Sequence, residues 1–93
     1  MGPVVDEAAY QEVITQLRAY TNKVFESCAN MQSAARACIS SMGDDPAAAR
    51  SATALSKCIN QIQRGVDSIN GVIAGMTKEL EDSIAASQKA NFD

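Results

Sequence analysis

Few residues in this sequence have any capacity for chemistry, and their spacing decides against most reactions. His is absent from the 93 residues, which removes the commonest general base and metal ligand. The thiols are Cys28, Cys38 and Cys58. None stands in a C-x-x-C pair, so neither a zinc site nor a dithiol redox site is expected. Carboxylates adjoin at Asp44-Asp45 and again at Glu79, Glu81 and Asp82. Paired acids do general acid–base work in a desolvated cleft that drives their pKa values apart. Here the first pair reads as helix caps and the second group as a solvated face. No enzyme, no cofactor and no metal is expected.

Composition narrows the partners. Apolar residues make up 46% and charged residues 20%, a globular balance rather than a disordered one. Eight Lys and Arg oppose eleven Asp and Glu for a net charge of −3, and the cations are scattered singly from Arg18 to Lys89. Phosphate binding wants clustered cations and base stacking wants aromatics, so nucleic acid is not an expected partner of a chain with two Tyr, two Phe and no Trp. No run approaches the roughly 18–20 apolar residues of a membrane span. The stretch from Met1 to Glu7 has neither the cationic start nor the apolar run of a secretory signal. Gly2 does not read as a myristoylation site, because Asp6 stands where Ser or Thr is wanted. The core is expected to be thin and aliphatic, with no deep enclosed pocket.

The elements that position these residues follow from periodicity. Breakers cluster at Met42-Gly43-Asp44-Asp45-Pro46. Gly43 suits the left-handed conformation that ends a helix, Asp45 suits the cap of the next, and Pro46 suits a first helical turn. Ahead of this turn Tyr10, Val13, Leu17, Tyr20, Val24, Ser27, Met31, Ala34 and Cys38 recur every three or four residues. Behind it Leu55, Ile59, Ile62, Val66, Ile69, Ile73, Met76, Leu80 and Ser83 do the same. That alternation predicts amphipathic helices rather than strands. The fold class is therefore all-α: a single domain over 1–93, with helices over about 6–41 and 46–88 joined by the turn 42–46. The short connection makes the two helices an antiparallel hairpin. Asp6 and Glu7 favour the positive end of the first helix. Alanines on both sides of the turn predict close approach of the helices there, and a bulkier packing toward the open end.

A hairpin buries one seam and leaves the flanks of that seam bare. Beside the predicted first-helix seam stand Ile14, Phe25, Cys28, Ala35 and Ile39, and beside the second stand Cys58 and Val72. Each of Ile14, Phe25, Ile39 and Val72 left in water forgoes about 1.5–3 kcal/mol, a large fraction of what a small domain has. These four are the expected partner-binding residues. The hairpin is expected to associate into a four-helix bundle, as a homodimer or a heterodimer. Cys38 falls on the predicted seam as a small core residue. Cys28 and Cys58 fall on opposite flanks, which argues against a bond between them. Gly71-Val72-Ile73-Ala74-Gly75 has G-x-x-x-G spacing with both glycines directed away from the seam. Softening of the helix by about 1 kcal/mol per Gly is the favoured reading, ahead of close approach by a partner backbone.

A helical hairpin of this length with a glycine turn at its midpoint resembles the WXG (ESAT-like) superfamily of bacterial type VII secretion. The family's Trp-x-Gly falls on Ser41-Met42-Gly43, of which Gly43 matches. The Tyr-x-x-x-Asp/Glu export signal has no counterpart, since no Tyr follows Tyr20 and Phe92 is followed by Asp93 alone. Lacking both motifs, the chain is similar to the small helical proteins that accompany larger LXG-type toxins. The resemblance implies a non-enzymatic partner that binds a toxin's helical N-terminal domain, resides in the cytoplasm before export, and is secreted without a cleavable signal. Two other readings stand beside it. Asp44-Asp45-Pro46-Ala47-Ala48 resembles the turn of type III secretion needle subunits, although Ser83 to Asp93 is mostly small or polar where those filaments are strongly apolar. A generic coiled-coil dimerisation module fits the same periodicity.

Overall fold

A computed structural model describes residues 4–92. The expectations placed on Met1, Gly2 and Pro3 at one end, and on Asp93 at the other, lie outside the described residues. The chain forms two α-helices, α1 (Glu7–Met42) and α2 (Pro46–Phe92), with no strand among the described residues.

Acids start both helices. The Asp6 carboxylate accepts from the Ala9 N–H at 3.0 Å, and the Asp45 carboxylate accepts from the Ala47 N–H at 2.8 Å. Each satisfies a backbone donor that the first helical turn leaves without an intrahelical partner. Pro46 follows Asp45 as the first residue of α2, where its missing N–H costs nothing. α1 stops because Gly43 turns to φ +66° while its N–H still donates to the Ile39 carbonyl at 3.0 Å. A side chain at that φ would crowd the backbone, so glycine is the residue that ends the helix here.

The two helices pack as a hairpin that resolves into two compact units, each drawing on both helices. One is an open-end unit, Met1–Thr21 with Ser68–Asp93, and the other is a bend unit, Asn22–Asp67. In the open-end unit Ile14, Ile73 and Leu80 form a buried cluster against which Val5, Tyr10, Leu17, Ile69 and Met76 pack. Polar ties join the helices there as well. The Tyr10 hydroxyl donates to Glu79 Oε2 at 2.8 Å, and the Val5 N–H donates to Ser83 Oγ at 3.2 Å. Ser83 is fully buried, so that bond supplies its hydroxyl with the partner burial demands. The bend unit buries Cys28, Ala48 and Ile59, with Met31, Leu55 and Ile62 half-buried.

The inward face of α2 agrees with the expected one at each of its nine positions from Leu55 to Ser83, which are buried or half-buried. α1 agrees at Tyr10, Leu17, Val24 and Met31 and departs between them. Val13 and Tyr20 are 43% and 57% exposed, and Ser27, Ala34 and Cys38 are also exposed; Ile14, Thr21 and Cys28 are buried in their stead, and Ala35 half-buried. A stripe through Tyr10, Leu17, Val24 and Met31 satisfies helical spacing whether it leans to the residue three or four positions on. Packing settles the lean. Ile14 buries more carbon than Val13. Thr21 spends its hydroxyl on the Arg18 carbonyl at 3.0 Å and so is buried at little polar cost, whereas Tyr20 keeps its phenol exposed.

Candidate partner-docking surface

Small side chains around the bend leave a groove rather than a seal. Met31, Ala34, Ala35, Cys38, Ile39 and Met42 of α1 face Ala47, Ala48, Ser51, Ala52 and Leu55 of α2 across an open apolar groove of about 390 Å³. The alanines that predicted close approach do part of that work: Ala48 is buried, while Ala35 and Ala52 are half-buried. Ala34 and Ala47 stay exposed on the groove wall. A methyl is too short to fill the space between helices that a Leu or Ile fills elsewhere in the chain, so volume is left over.

Of the four residues expected to face a partner, three are on the outside. Phe25 is 70% exposed, Val72 is 54% exposed and Ile39 is 37% exposed, the last on the edge of the groove. Ile14 is a correction. At 2% exposure it is buried against Ile73 and Leu80, and the hairpin's own core takes it because α1 leans to that side. Cys28 is likewise internal, and Cys38, expected inside, is exposed and lines the groove. Every residue of α1 from 36 to 42 is exposed. All three thiols are free, with Cys58 exposed. Gly43, Asp45 and Pro46 hold the turn in the roles their types predict.

The exposed Tyr20 and the groove itself escaped sequence reasoning. The signal for the groove is the run of alanines flanking the turn, whose small side chains leave volume unfilled as well as letting the helices approach.

Carboxylates do structural work. Asp45 caps α2, Glu79 accepts from Tyr10, and Asp82 pairs with Lys78 one turn back at 3.6 Å. The hydrogen bond to Glu79, with partial burial and the negative charge of Glu79, holds the Tyr10 phenol above its ordinary value of 10.0. Neither the groove nor the smaller hollow over Arg36 and Ser56 on the bend unit gathers a carboxylate. No helix among the described residues is long and apolar enough to cross a membrane.

Compared with protein-family models, curated proteins and solved structures, the chain matches none.

Proposed function

We propose that this chain is a non-enzymatic helical partner protein of a type VII (ESX-like) secretion system, which completes a four-helix bundle with the helical N-terminal domain of a larger LXG-type effector. The observation that carries the reading is the apolar surface a two-helix fold leaves bare, with Phe25 70% exposed and an apolar groove at the bend. The secretion context comes from the resemblance carried by Gly43 and the hairpin length. In this reading the effector supplies the export signal, and the pair forms in the cytoplasm before leaving it.

Co-expression with an LXG-type N-terminal domain, followed by purification through a tag on that domain, tests the proposal. A stable discrete complex is expected. Phe25→Glu is expected to abolish it while the isolated chain keeps its helical circular dichroism. A chain that stays monomeric and fails to co-purify, or a Phe25→Glu variant that binds as well as the parent, would overturn the reading.

A further inference from the structure

The residues that α1 leaves exposed beside its buried ones form a second row. In the open-end unit Val13 and Tyr20 are exposed on either side of half-buried Leu17. In the bend unit Ser27, Ala34 and Cys38 are exposed, with Met31 half-buried among them. Joined through Val24, these positions follow one another along α1 at spacings of four and three residues without a break, the period of a helix-packing seam. Ile14, Thr21, Cys28 and Ala35, each one residue past an exposed member of the row, are buried or half-buried within the hairpin. Such a wide inward face belongs to a helix with two neighbours, and α2 is one of them. We propose that the other is α1 of a second copy of this chain, running antiparallel.

Volume and charge select this occupant. The row is centred between Phe25 and Glu26. In an antiparallel pair with that centre, Val13, Leu17 and Tyr20 of one copy stand opposite Cys38, Ala34 and Met31 of the second. The bulky half of the row thus meets the three α1 residues that line the open groove of about 390 Å³, so large side chains fill space that small ones leave. Tyr20 brings an aromatic ring to the Met31 thioether, a favourable contact. The open-end unit has net charge −4 and the bend unit net charge +1. Antiparallel pairing opposes unlike units, whereas parallel pairing sets acid against acid. Phe25, on which the effector complex turns, lies five residues past Tyr20 and so about 140° round the helix. Self-pairing through the row therefore leaves it uncovered.

Sedimentation of the reduced full-length chain at high micromolar concentration tests the pairing. A dimer is expected. Tyr20→Glu is expected to raise its dissociation constant at least about tenfold by burying an unpaired charge, while Phe25→Glu leaves it unchanged. Both positions are exposed, so the helical circular dichroism of each variant should match the parent. The register is read from Val13→Cys in a Cys58→Ser background, oxidised with diamide. Two thiols lose two hydrogens to the diamide, and the disulfide is expected to join the thiol introduced at position 13 to Cys38 of the second copy. Within one chain these positions lie about 37 Å apart along α1, beyond any disulfide. A monomer would overturn the proposal, as would a dimer that is indifferent to Tyr20→Glu or lost in Phe25→Glu. So would a bond joining Cys38 to Cys38 in preference, the mark of a parallel pair or of chance contact between exposed thiols. Every outcome concerns the chain alone, so it stands apart from whether an effector binds.

Discussion

The open-end unit and the bend unit are built from the same two helices, yet they close differently. At the open end, branched and bulky side chains (Ile14, Ile73, Leu80) meet across the seam, and Tyr10–Glu79 and Val5–Ser83 tie the helices together. At the bend the buried set is Cys28, Ala48 and Ile59, and a groove of about 390 Å³ stays open. Charge differs as well. The open-end unit carries seven acids and three bases, and the bend unit four acids and five bases. The contrast teaches that side-chain volume decides where a hairpin is self-sufficient. Large aliphatic residues complete a core from within, and small ones leave room that only other atoms can fill.

Three experiments break or sharpen this comparison. The largest effect is expected from Ile14→Ala, which empties a buried position in the open-end cluster and should cost about 2–5 kcal/mol. Met31→Ala in the bend unit removes a half-buried side chain beside space that is already open, so about 1 kcal/mol is expected from the area lost. Urea denaturation followed by circular dichroism measures both, and equal losses would show that the bend is as well packed as the open end.

A smaller effect of opposite sign is expected on the outer surfaces. A Cβ added at Gly65 in the bend unit, or at Gly71 in the open-end unit, meets nothing within 4 Å. Each Gly→Ala change should therefore raise stability by about 0.5–1 kcal/mol. A gain at one position and a loss at the other would expose a contact on that face. If Gly71→Ala stabilises the free chain but weakens a complex, a partner backbone approaches there, and the G-x-x-x-G spacing has a use.

The smallest effect is confined to alkaline solution and to the open end. With the folded-state pKa of Tyr10 raised above 10.0, the neutral phenol is the form the fold favours. Its contribution to stability is fully present below pH 10 and fades as pH climbs through the folded-state value. In Tyr20→Phe, Tyr10 is the sole Tyr of the chain. Its absorbance titration should have a midpoint above that of the denatured chain and fall to the denatured value in Glu79→Gln. Coincident midpoints in folded and denatured chains would remove the tie from the account.

Much of this architecture was legible in one dimension. Gly43, Asp45 and Pro46 mark the turn because each type has a backbone or capping preference that neighbours seldom override. The inward face of α2 was readable because Leu55 to Leu80 offer one apolar choice at most turns, with polar or small residues on either side. α1 was ambiguous where adjacent residues compete: Val13 with Ile14, Tyr20 with Thr21, Ser27 with Cys28, Ala34 with Ala35. Each pair offers two residues of similar claim, and helical spacing accepts both. That ambiguity put Ile14 among the partner-facing residues and Cys38 in the core, the reverse of where they lie.

Local chemistry therefore determined that the chain makes two helices, where they meet at a turn, and that one stripe of each turns inward. Capping, left-handed glycine and hydrophobic period act over a few residues and need no distant neighbour. Tertiary structure decided which member of each adjacent pair in α1 is buried, that the alanines at the bend enclose a groove, and that Cys38 faces it beside Met42. Those outcomes depend on how the volumes of two helices interlock, and volume is matched only when both surfaces are present.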